Sequence, residues 1–161
     1  MKSKLVLLLF IPFIHSCIGT LPDEELTMIR TPYIGKEIRL DGYYSGISYQ
    51  SGKTTYISYK FFYSNGVLFT SAGYNSNIQD IDSIIKLMNK DRKDKREWAV
   101  FQVKKDSIVM QGWRLRDDVY QNLLTSFQFK IINDTTLSSG TRIYHFKIFS
   151  QKPDSMNLFI K

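Results

Sequence analysis

The chain has 161 residues, 43% of them hydrophobic, with 22 basic against 15 acidic residues and a net charge of +7. A single cysteine excludes a disulfide framework, and no apolar run approaches the roughly 20 residues of a membrane-crossing helix. One domain of ordinary size is expected, modestly basic, and held together by its core alone.

Lys2 and Lys4 precede an apolar run, Leu5 to Ile14, and Ser16 stands directly before Cys17. A short positive stretch, a ten-residue apolar stretch and a small residue make a secretory signal, expected to be removed. Ser16-Cys17, with Ile14 three places before the cysteine, resembles the lipobox of bacterial lipoproteins. The resemblance implies cleavage after residue 16, a diacylglyceryl group on the Cys17 thiol and an acyl group such as palmitate on the new amine. The alternative is a plain signal peptide with an incidental cysteine. Loose lipoboxes of this kind point to the Bacteroidota, and to a protein anchored by lipid in the cell envelope at the outer membrane, facing the periplasm or the surface. Without residues 1–16 the net charge is +5, which suits anionic lipid or glycolipid in such a place better than nucleic acid, and no nucleic-acid partner is expected.

Residues 17–36 read as a lipid-anchored tether, with Pro22, Pro32 and the acidic run Asp23-Glu24-Glu25. From 37 to 161 the pattern is that of a β domain. Ile38, Leu40, Gly42 and Tyr44 share one face of a first strand. In TTYISYKFFY, 54–63, Ile57, Tyr59, Phe61 and Tyr63 are assigned inward, with Tyr56, Ser58, Lys60 and Phe62 outward. Ser64-Asn65-Gly66 then predicts a tight hairpin into VLFTSAGY, 67–74, with Asn65 and Gly66 both at positive φ. Ile78, Ile81, Ile84, Ile85 and Met88 recur at three and four, which predicts a helix over about 78–90 capped by Asn77. EWAVFQV (97–103), SIVMQGWRL (107–115), TSFQFKII (125–132), RIYHFKIF (142–149) and a short NLFI complete the strands, with Phe101, Phe129 and Phe146 inward.

Seven or eight short strands at regular spacing predict an antiparallel meander, closed as a barrel, with one inserted helix. This order resembles a lipocalin-like barrel, and small lipocalin-like lipoproteins of the Bacteroidota, over about residues 38–150.

No catalytic constellation is visible. His145 is the one histidine after residue 16, on the outward face of its strand, and there is no GxSxG elbow and no Cys–His pair. Asp80 with Asp82, and Asp117 with Asp118, are explained by a helix start and a turn. A zinc site has too few ligands. No catalytic residue, metal or cofactor is expected.

Tyrosine and phenylalanine make up 21 residues, and several strands carry rings on both faces. A barrel cavity lined by Tyr44, Tyr59, Phe61, Phe101, Phe129 and Phe146 would account for them. The expected function is non-catalytic binding of a small apolar or amphipathic ligand there. The alternative is a solid aromatic core in a structural or interaction lipoprotein that meets an envelope protein or glycolipid through its outer surface. Lys86, Lys90, Arg92, Lys93, Lys95 and Arg96 would be a basic patch for phosphate-bearing lipid, or simply a solvated helix end. Asp followed by Ser or Thr and then an apolar residue or Thr recurs four times, which resembles the O-glycosylation sequon of Bacteroidota exported proteins. It would place glycans on Ser83, Ser107, Thr135 and Ser155, although the same pairs also suit turns and caps.

Overall fold

The computed structural model describes residues 22–75, 86, 89, 92–116, 121–140 and 142–161. Among these, eight antiparallel strands form a closed barrel in sequence order: β1 (Gly42–Ser51), β2 (Thr54–Phe62), β3 (Val67–Asn75), β4 (Trp98–Lys104), β5 (Ser107–Arg116), β6 (Gln121–Asn133), β7 (Thr136–Ser139) and β8 (Arg142–Ile148). The barrel closes where Gly42 to Ser45 of β1 pair with Ile148 to His145 of β8. This is the mainly β, lipocalin-like architecture that the strand spacing predicts. Of the helix expected over 78–90, Lys86 and Asn89 are described and are helical; the rest lies outside the described residues. A 3-10 turn, Lys95–Glu97, leads into β4.

The hairpin at 64–66 departs from expectation in detail. Gly66 alone takes a positive φ, +81°, while Asn65 does not. Gly66 N–H donates to the Tyr63 carbonyl (3.0 Å) and Tyr63 N–H to the Val67 carbonyl (2.9 Å), so the loop has three residues and ends in a left-handed glycine rather than being a two-residue turn. No other residue fits: a Cβ at Gly66 would lie 2.2 Å from the Thr31 carbonyl oxygen. Two further corrections concern short runs. TLSS at 136–139, with one large apolar side chain, forms β7, and NLFI at 157–160 forms no strand.

The register identifies the barrel interior. Tyr44 stands opposite Lys60 and Phe146, Lys60 opposite Thr70, Phe62 opposite Leu68, and Leu68 opposite Ala99. Phe101 faces Met110, Ile108 faces Phe129, and Ile131 and Tyr144 both face Leu137. One set of side chains therefore runs round all eight strands and packs as an inner core with Ile38. The other face of β1–β5 is equally apolar. Tyr43, Tyr59, Phe61, Phe69, Trp98, Val100 and Trp113 form a second core on the outside of the barrel.

Two terminal segments cover that outer core. Residues 22–36, read as a tether, lie along the barrel as a strap. Gln111 Oε1 accepts from the N–H groups of Thr27 and Met28 (both 2.8 Å), and Trp113 Nε1–H donates to the Glu24 carbonyl (2.7 Å). Glu24 N–H donates to the Asn122 carbonyl and its carboxylate accepts from Leu124 N–H, while Asp23 accepts from Asn122 N–H. These bonds occupy backbone groups of β6 above the point where its pairing with β7 stops. The strap then crosses the far end of the barrel, where Tyr33 and Ile38 meet the inner core. The C-terminal tail is pinned by Lys152, whose ammonium donates to the Leu40 carbonyl (2.8 Å) and the Phe62 carbonyl and lies 4.2 Å from the Tyr63 ring centre. Phe159 and Ile160 then join the outer core beside Leu26 and Met28.

Candidate functional site

The six residues expected to line a cavity divide between the two cores. Tyr44, Phe101, Phe129 and Phe146 belong to the inner core; Tyr59 and Phe61 belong to the outer one. The inward face of β2 is Ser58, Lys60 and Phe62, one residue out of step with the expected face. Both faces of β2 are buried, so ring content could not choose between them.

The inner rings pack on one another. Centroid separations are 5.6 Å for Tyr44–Phe62, 4.9 Å for Phe62–Phe101, 5.2 Å for Tyr44–Phe146 and 5.5 Å for Phe129–Tyr144, mostly edge to face. The Tyr44 hydroxyl accepts from Arg39 N–H (2.9 Å) and donates to the Asp134 carbonyl (2.5 Å); burial pushes its pKa up to about 12.

Beside these rings stands a cation that strand periodicity had placed in solvent. Lys60 is only 7% exposed. Its ammonium donates to Thr70 Oγ1 (2.9 Å) and lies 5.2 Å and 5.4 Å from the ring centres of Tyr144 and Phe129. Burial lowers its pKa to about 8; the nearby Glu97 carboxylate opposes that shift and Arg142 adds to it.

A cleft lies outside the barrel, where tail, strap and the segment before β4 meet. It encloses about 850 Å³. Its apolar wall is Met156, Leu158, Phe159 and Ile160; its cations are Arg30, Arg92 and Lys93, and among the described residues no carboxylate lines it. Local hydrogen bonds shape the tail. Asp154 accepts from Met156 N–H (2.8 Å), Asn157 Oδ1 from the N–H groups of Phe159 and Ile160, and Ser155 Oγ from the Asn65 amide (2.9 Å). Arg92 bridges tail and barrel: Nη2 reaches Asp154 (2.5 Å) and the Met156 carbonyl (3.0 Å), and its own carbonyl accepts from Trp98 Nε1–H. Arg92 Nε and the Tyr63 hydroxyl are buried with no hydrogen-bond partner. Met156 is 77% and Leu158 92% exposed. Two further clefts, of about 450 and 610 Å³, share Phe159 with this one and continue it past Lys95 to Asp23.

The basic run is thus dispersed. Lys95 pairs with Asp23 (3.1 Å) over the Trp113 ring and Arg96 pairs with Asp94, while Lys93 is exposed at the cleft. Lys90 lies outside the described residues. So do Cys17, Ser83, Asp80, Asp82, Asp117 and Asp118. Ser107, Thr135 and Ser155 are half-buried in or beside turns; Ser107 bonds Asp106 and Thr135 bonds Asn133. His145 is exposed on β8. Among the described residues, no three His, Cys, Asp or Glu side chains come together as metal ligands. No family model, curated protein or solved structure matches this chain.

Proposed function

We propose that the protein is an envelope lipoprotein, cut before Cys17 and anchored by lipid on it, that holds an amphipathic molecule without transforming it. The barrel serves as scaffold and the working surface is the cleft outside it. The observation that carries this reading is the cleft's composition: a wall of Met156, Leu158, Phe159 and Ile160 beside Arg30, Arg92 and Lys93. An amphipath matches such a wall, with its apolar part on the tail and its polar end among the cations. The close ring contacts of the inner core also favour a surface site over a deep apolar cavity.

A second reading rests on Lys60. A buried ammonium beside two rings suits an acidic amphipath entering the barrel interior, the site first expected from the aromatic strands.

Native mass spectrometry of the protein purified gently from its own membrane tests both readings. A co-purifying mass that is lost on denaturation is expected. Its loss in Leu158→Ser supports the cleft, and its loss in Lys60→Met supports the interior. A bare polypeptide, still bare after incubation with envelope lipid extract, overturns ligand binding. The intact mass reads the anchor in the same experiment: residues 1–16 absent and acyl chains present, or not.

A further inference from the structure

We infer that the outer cleft docks on anionic phospholipid of the bilayer itself, with the lipid phosphate among Arg30, Arg92 and Lys93 and the exposed Met156 and Leu158 reaching the acyl region. The inference deepens the proposed function and rests on it for the site, but it names the partner.

Three observations converge on this occupant. The first is charge. Among the described residues, Arg30, Arg92 and Lys93 line the cleft and no carboxylate does; Arg92 is paired with Asp154, so Arg30 and Lys93 are the cations that favour an anion there. Arg92 gives Nη2 to Asp154 and the Met156 carbonyl, and its side chain stays 20% exposed at the cleft. A guanidinium fork is a shape that phosphate oxygens match.

The second is the exposed apolar pair. Met156 and Leu158 are held outward by a tail whose backbone is fixed by Asp154, Asn157 and Arg92. Exposed apolar side chains standing beside cations match a bilayer interface, where acyl chains lie directly beneath phosphates.

The third is position. The linked clefts run from Met156 to Asp23, and Asp23 is tied to Lys95 and Asn122. Five residues lie between Cys17 and Asp23, and the six steps of chain span no more than about 22 Å even fully extended. With acyl chains on Cys17, one end of the linked clefts is held close to the membrane surface. Bilayer lipid is then the anion at highest local concentration.

The test uses the full lipidated chain in vesicles of phosphatidylcholine alone, or of phosphatidylcholine with phosphatidylglycerol. Flotation with the neutral vesicles reads the anchor. Amide hydrogen exchange over 154–160 reads the cleft. Exchange there is expected to be slower on the anionic vesicles than on the neutral ones, with β4 and β5 unchanged. Arg30→Gln with Lys93→Gln, both exposed, should erase the difference, weakening the contact roughly fivefold for each cation removed. Equal exchange on the two vesicle types, with the protein floating on both, overturns the docking surface and leaves the anchor standing. Slowing on anionic vesicles by a protein that does not float with neutral ones supports the docking surface and overturns the anchor. If inorganic phosphate with neutral vesicles slows exchange equally, the site takes free phosphate and the lipid assignment falls.

Discussion

Lys60 sits where a barrel of this size is expected to hold an apolar side chain. Its charged form is disfavoured by burial, and its pKa in the folded protein, about 8, lies below the ordinary value of 10.5. Between those values the unfolded chain binds the extra proton, so stability should rise with pH through this window. The span corresponds to roughly 3 kcal/mol, part of which the two ring faces return. Lys152, also lowered to about 8 by burial, contributes in the same direction. Above pH 10 the buried tyrosines oppose it: Tyr44, raised to about 12 by burial, stays neutral in the fold while the unfolded chain ionises. Chemical denaturation at a series of pH values should show a maximum near pH 10, and Lys60→Met should flatten the rising limb. The second residue that concentrates energy is Tyr44. Its hydroxyl ties the backbone before β1 to the turn before β7. Tyr44→Phe keeps the ring contacts but leaves Arg39 N–H and the Asp134 carbonyl without their partner. A loss of about 1–3 kcal/mol is expected in the same measurement.

The N-terminal strap shows how an acidic, proline-containing stretch that reads as linker becomes structure. The carboxylates of Asp23 and Glu24 accept backbone N–H groups of β6. Hydrogen bonding and the neighbouring Lys95 lower the pKa of Asp23 against a desolvation that would raise it. The strap's central attachment is one side chain, Gln111, which satisfies two strap N–H groups and donates to Thr27 Oγ1. Gln111→Ala should free the strap without opening the barrel. Amide exchange over 24–30 should speed up about tenfold or more, while β4 and β5 keep their protection. Equal acceleration in the strands would mean that strap and barrel unfold as one unit.

At the scale of the whole molecule, the barrel is a wall between two cores, and the outer one depends on chain termini. Removing residues 155–161 would take Phe159 and Ile160 from the outer core and leave Val100 and Trp113 uncovered where they packed. Loss of two such anchors is worth a few kcal/mol, a fall in Tm of roughly 10 °C for a chain of this size. The truncated protein should keep its β circular dichroism and gain binding of an apolar dye. If Tm is unchanged, the tail is an ornament on a self-sufficient barrel, and a cleft built on it loses its rigidity argument.

Much of the architecture follows from local pattern. Alternation over 97–103, 125–132 and 142–149 placed Phe101, Phe129 and Phe146 on the correct face; over 125–132 and 142–149 most rings lie on one side, and in β4 Phe101 shares its face with Ala99 while Trp98 lies opposite. Glycine at 66 marked its turn because only glycine meets the φ and the close Thr31 carbonyl there. The sequence by itself thus determined a meander of short antiparallel strands and the inward face of β1, β4, β6 and β8. It could not orient β2, since a residue buried against terminal segments is as apolar as one buried in the barrel. Nor could it foresee a buried Lys60, or a cleft assembled from Arg30, Arg92, Lys93 and Leu158. The cleft residues come from three distant stretches of the chain, around 30, 92 and 158, and only tertiary packing brings those stretches together. Local periodicity reports that a face is buried; what buries it is decided by long-range contacts.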